Sequence, residues 1–85
     1  MQIICEADFK FKGLTFEIIV IENLEGKRKV YEAWIRAKNY GVMDFMFGCN
    51  EAETKLDDFL KIVSFNVFSY ADSYIDDYVD ESEVE

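Results

Sequence analysis

Carboxylates supply most of the chemistry this sequence can offer. Asp72, Asp76, Asp77, Asp80, Glu81 and Glu83 crowd one twelve-residue stretch that contains no lysine or arginine. Asp57-Asp58 and Asp76-Asp77 have the look of paired acid and base, but adjacent residues on a helix point to different faces. The row Asp72, Asp76, Asp80 offers a divalent cation only a chance contact, because it lacks the glycine-bent loop and backbone carbonyls of a calcium loop. Histidine is absent from the chain, and with it the commonest general base. Thr15, Thr54, Ser64, Ser69, Ser73 and Ser82 are the only serine and threonine hydroxyls, and none sits in a G-x-S-x-G nucleophile turn. The four glycines build neither a dinucleotide fingerprint nor a phosphate loop. Cys5 and Cys49 form no C-x-x-C pair and read as two buried free thiols, which suits a reducing cytosol. The expectation is a binding protein without a catalytic residue, metal or cofactor.

A helix carrying those terminal acids works against its own electrostatics. Its last carbonyls are unsatisfied and favour cations, so each acid there costs about 0.3–1 kcal/mol at low salt. Asp72–Asp76, Asp76–Asp80 and Asp77–Glu81 are also like-charge neighbours at i, i+4. Six acids over eleven rises of about 1.5 Å give a charge every ~3 Å, close to the ~3.4 Å phosphate spacing along one DNA strand. The balance along the chain sharpens the point. Residues 1–48 hold seven acids and seven bases, whereas residues 49–85 hold eleven acids and two bases, so the whole formal charge of −9 belongs to the second part. Such a chain is repelled by nucleic acid and by anionic lipid. The N-terminus has neither the basic start nor the apolar run of a signal peptide, and no segment is long and apolar enough to span a membrane. A cytoplasmic protein is expected.

The elements that must position these residues follow from periodicity. With 85 residues, one α+β domain is expected. Strands should run from Ile3 to Phe11, Leu14 to Glu22, Lys27 to Lys38 and Val42 to Phe47, with turns at Lys12-Gly13, Asn23–Gly26 and Asn39–Gly41. On the last strand Met43, Phe45 and Phe47 are expected to share a face. Asn50 and Glu53 have the spacing of a capping box, which predicts a helix from Glu51 to Val79 followed by an acidic tail over 80–85. Leu56, Phe59, Leu60, Val63, Val67, Tyr70, Ala71, Tyr74 and Tyr78 mark its apolar stripe. At about 43 Å such a helix overruns the sheet, so it either bends near Ser64–Asn66 or projects at its end. The expected fold is an antiparallel sheet of three or four strands with this helix on one face.

Apolar surface exceeds what that fold buries. Ile62, Phe65 and Phe68 form a second stripe on the helix, and Trp34 lies opposite the face formed by Tyr31, Ala33, Ile35 and Ala37. Either Trp34 or Tyr31 must face away from the helix. Exposed aromatics beside a line of acids suggest a partner surface made of Asp72, Asp76, Asp77, Asp80, Glu81, Trp34, Phe65 and Tyr74. In size, acidity and sheet-plus-helix layout the chain resembles small phage-encoded anti-CRISPR proteins and other DNA-mimic inhibitors. That resemblance implies an inhibitor that binds a basic nucleic-acid-binding protein or nuclease by charge mimicry and steric block. The alternative is a self-associating structural or adaptor protein, a homodimer joined through Ile62, Phe65 and Phe68.

Overall fold

The computed structural model describes residues 1–80 and Ser82. Four strands, β1 (Gln2–Phe11), β2 (Leu14–Glu25), β3 (Arg28–Ala37) and β4 (Asp44–Asn50), form one antiparallel sheet in the order β1-β2-β3-β4, followed by α1 (Leu56–Tyr78). The expected α+β fold, an antiparallel sheet with the C-terminal helix on one face, is therefore present, and its four strands pair as a meander. Lys12 and Gly13 both take positive φ, 52° and 79°, and close β1 onto β2 with a two-residue turn whose backbone twist matches the strands. The next hairpin is tighter than its sequence suggests. β2 continues through Asn23-Leu24-Glu25, and Gly26-Lys27 alone makes the turn, with Glu25 opposite Arg28.

Strand alternation gives the sheet two distinct faces. Phe16, Ile18 and Val20 of β2 and Tyr31, Ala33, Ile35 and Ala37 of β3 point towards the helix and are buried. Phe59, Val63, Ala71, Tyr74 and Ile75 meet them from α1, and Phe47 of β4 fills the space beside Phe59 and Tyr70. Tyr31 therefore faces inward and Trp34 outward. A bulge between Ala33 and Trp34 in the β3–β4 register breaks the alternation expected on β4. Phe45 pairs with Trp34 on the open face, Phe47 pairs with Ala33 on the helix face, and the intervening Met46 is buried. The expected common face of Met43, Phe45 and Phe47 is thus split.

The helix is capped five residues later than its sequence suggests, at Lys55 rather than Asn50. Asn50 Oδ1 accepts from Ala52 N at 2.8 Å, and Asn50 O accepts from the amides of Glu53 and Thr54, so the Asn50–Thr54 stretch is a turn. Lys55 is the N-cap and makes no side-chain cap bond. At 23 residues α1 is about 35 Å long, and it runs unbroken through Ser64–Asn66. The shorter helix needs no bend to fit the sheet. No helix among the described residues is long and apolar enough to cross a membrane.

Candidate protein-binding surface

The outer side of α1 assembles a ridge from residues spaced four, three, four, three and four apart. Asp58, Ile62, Phe65, Ser69, Asp72 and Asp76 fall on one face by that spacing, and all are exposed. Phe65 stands at its centre with 89% of its surface exposed, and Ile62 beside it is 43% exposed. Acids flank this apolar pair on both sides, over about 27 Å from Asp58 to Asp76. Phe68, the third member of the expected stripe, behaves differently. Although 56% exposed, its ring stacks on Phe11 at 5.2 Å and meets Phe9 edge-on at 5.8 Å, so it leans over β1 rather than standing free.

The six terminal acids do not act alike. Asp72 accepts from Lys12 Nζ at 2.6 Å, an ion pair between two half-exposed side chains. Asp76 and Asp77 have no ion-pair partner among the described residues, and the last helical turn contains no basic residue. Asp80 lies beyond the helix, where the Ser82 backbone N–H and then its hydroxyl donate to Oδ1 and hold the carboxyl below its usual range. Glu81 and Glu83 lie outside the described residues. Tyr74 is not a surface residue. It is fully buried, donates its hydroxyl to Val42 O at 2.6 Å, and packs against Phe16, Tyr40 and Tyr78. Of the other two tyrosines on this part of the helix, Tyr78 is exposed and Tyr70 half-buried.

The open face of the sheet presents a second surface. Two rows across the strands are mainly apolar: Ile3 and Ile21, then Ile19, Trp34 and Phe45. Met1, Ile3, Ile19, Ile21, Trp34 and Met43 line a shallow depression of about 310 Å³ with no polar atom at its wall. Trp34 is held in place by the Phe45 ring at 5.2 Å and by its Nε1–H donating to Glu32 at 3.3 Å. Around this patch the same face carries the acids Glu6, Asp8, Glu17, Glu25 and Glu32 and the bases Lys10, Arg28, Arg36 and Lys38. Arg36 pairs with Glu17, and Lys38 with Asp8 at 2.6 Å.

Cations gather at the end of the molecule opposite the acidic helix terminus. Lys27, Arg28, Lys29 and Lys55 line a cleft of about 320 Å³ between the second hairpin and the Asn50–Thr54 turn. The run Lys27-Arg28-Lys29 is visible in the sequence, but Lys55 joins it only because Glu51 N bonds Lys29 O. None of the four has an ion-pair partner among the described residues.

Burial pushes the Cys49 thiol up, away from the thiolate form a nucleophile needs. Cys5 and Cys49 are both free and sit on opposite edge strands, three strand spacings of about 4.8 Å apart and in different cross-strand rows. Among the described residues no three acids or cysteines are grouped to hold a metal ion. Comparison with protein-family models, curated proteins and solved structures finds no match to this chain.

Proposed function

We propose that this protein is an acidic inhibitor that docks the outer ridge of α1 on a basic nucleic-acid-binding protein or nuclease, in the manner of an anti-CRISPR protein. One observation carries the reading: Phe65 is 89% exposed in the middle of a helix face whose other members include Asp58, Asp72 and Asp76. A large aromatic left in water on a well-packed domain suits a desolvated anchor in a partner pocket. The acids around it speed encounter with a positive cleft and set the orientation. Occupying that cleft excludes the nucleic acid for which it is shaped. Asp76 and Asp77 have no ion-pair partner among the described residues, while Asp72 shares its charge with Lys12.

The test has two stages. Proteins captured on the immobilised chain at low salt and released at high salt are identified, and each is then bound to a labelled DNA or RNA duplex. The native chain is expected to displace the duplex. Phe65→Ala should weaken displacement at least tenfold, about 1.4 kcal/mol or more, and Asp58→Asn with Asp76→Asn should weaken it and flatten its salt dependence. Captured proteins that bind no nucleic acid, or variants that compete as well as the native chain, overturn the proposal.

A further inference from the structure

We infer that the open face of the sheet is covered by a second copy of this chain, so that the protein is a face-to-face dimer with its two helices on the outside. An antiparallel sheet with one solvated face normally alternates apolar and polar residues, and that face is then polar. Here β2 carries Ile19 and Ile21 outward, β3 carries Trp34, β4 carries Phe45, and β1 adds Ile3. The helix is already spent on the other face; within one chain Ile21 is buried and Ile19 and Trp34 are half-buried, while Ile3 and Phe45 remain 51% and 47% exposed.

Charge identifies the occupant. The chain as a whole carries −9. Its open sheet face holds five acids and four bases and is almost neutral, so a second copy meets little repulsion there. A basic partner, by contrast, is drawn to the acids of α1 and finds no net attraction on the sheet. The signs are also placed for self-pairing. Glu17 on β2 lies opposite Arg36 on β3, and Ile19 lies opposite Trp34 one row further on. A two-fold axis along the strands, between β2 and β3, sets β2 of one copy over β3 of the other. Each Glu17 then faces Arg36 of the second copy, and each Ile19 faces its Trp34.

Size agrees with this arrangement. Strands spaced by about 4.8 Å, each around 30 Å long, present on the order of 600 Å² of projected face per copy. Corrugation by side chains brings the accessible area towards the ~800 Å² per partner of a standard stable interface. The two sheets would lie about 10 Å apart, with the apolar rows interdigitating as in a sandwich. This inference does not rest on the inhibitor reading, because it uses none of the α1 ridge.

Mass in solution tests it. Sedimentation or light scattering at about 0.1 mM, tenfold above a ~10 μM dissociation constant, should give a weight-average mass about 1.8 times the 10.0 kDa of one chain. Trp34→Glu should raise the dimer dissociation constant at least tenfold. Met43→Glu, in the loop before β4, should do the same without touching a strand, and its far-UV circular dichroism should stay native. Glu17→Arg should weaken the dimer and the added Arg36→Glu should restore it. Phe65→Ala should leave the dimer intact, so failure here is separable from failure of the inhibitor reading. A native chain that stays monomeric at 0.1 mM (about ten times that dissociation constant), a Met43→Glu dimer as tight as the native one, or a dimer lost on Phe65→Ala overturns the inference.

Discussion

Tyr31 is where a single side chain ties the sheet to the turn before α1. Its ring is buried against Phe59, and its hydroxyl donates to the Glu51 carboxylate. That hydrogen bond, followed by burial and the nearby Glu51 and Glu22 charges, pushes its pKa up to about 12 from the ordinary 10. The folded protein thus keeps a proton that the unfolded chain loses, and the resulting stability is complete below pH 10 and lost as pH climbs towards 12. Urea midpoints measured across that window should fall, and Tyr31→Phe should remove this part of the fall. Gly48 shows a packing limit of the opposite kind. A methyl group there would lie 2.9 Å from Tyr31 O, a backbone atom that cannot turn aside. Gly48→Ala should therefore cost about 1–3 kcal/mol by chemical denaturation, as overpacking does elsewhere. Period-two alternation was enough to put Trp34 and Tyr31 on opposite faces. It failed one strand later, because a bulge at Met46 leaves no mark in composition and reverses every assignment beyond it. Phe45 and its contact with Trp34 were invisible for that reason.

The helix was legible in its stripe and illegible at its start. Leu56, Phe59, Val63 and Tyr74 fall on the inner face as their spacing requires, but Asn50 and Glu53 serve a turn whose local bonds imitate a cap. A side chain that bonds its own next amides satisfies the same donors whether or not a helix follows. At the other end the acids expected from the sequence oppose the helix dipole only in part. Asp76 and Asp77 oppose the helix dipole without an ion-pair partner among the described residues, so Asp76→Asn and Asp77→Asn should each stabilise by about 0.3–1 kcal/mol at low salt. The gain should fade as salt is added. Asp72→Asn belongs to a different case, since it frees Lys12, and its gain should be smaller. Edge strand β1 and α1 leave space between them. Cys5, Ala7, Phe9, Leu60, Val63 and Val67 leave a groove of about 290 Å³ between them. Filling it with Ala7→Val, which also suits a strand better, should raise stability by about 0.5–1 kcal/mol in urea unfolding. Loss of stability would mean that the groove has no room for two more carbons.

Across the whole chain, short turns made the strand order readable. Lys12-Gly13 and Gly26-Lys27 allow only adjacent antiparallel pairing, and the meander follows. The charge map was not readable in the same way, because Lys12 and Asp72 meet from sixty positions apart and Lys55 reaches the hairpin cations through a backbone bond. What emerges is a molecule with a cationic tip, a nearly neutral sheet face and an acidic far end. Two electrostatic effects then compete. Three ion pairs, Lys12–Asp72, Lys38–Asp8 and Arg36–Glu17, favour the folded state, but the first two are about half exposed and pairs of that kind are worth roughly 0–1 kcal/mol each. Against them stands the self-repulsion of a chain at −9, which compaction increases. Both fade with salt, as the screening length falls from about 30 Å at 0.01 M to about 3 Å at 1 M. The long-range repulsion involves every unpaired acid, whereas the pairs act at contact distance and are screened less. Stability should therefore rise with sodium chloride, seen as a higher urea midpoint between about 0.02 and about 0.5 M. A midpoint that falls instead would mean that the ion pairs outweigh the repulsion, and the acids of α1 would then have internal work that an external basic partner is not needed to explain.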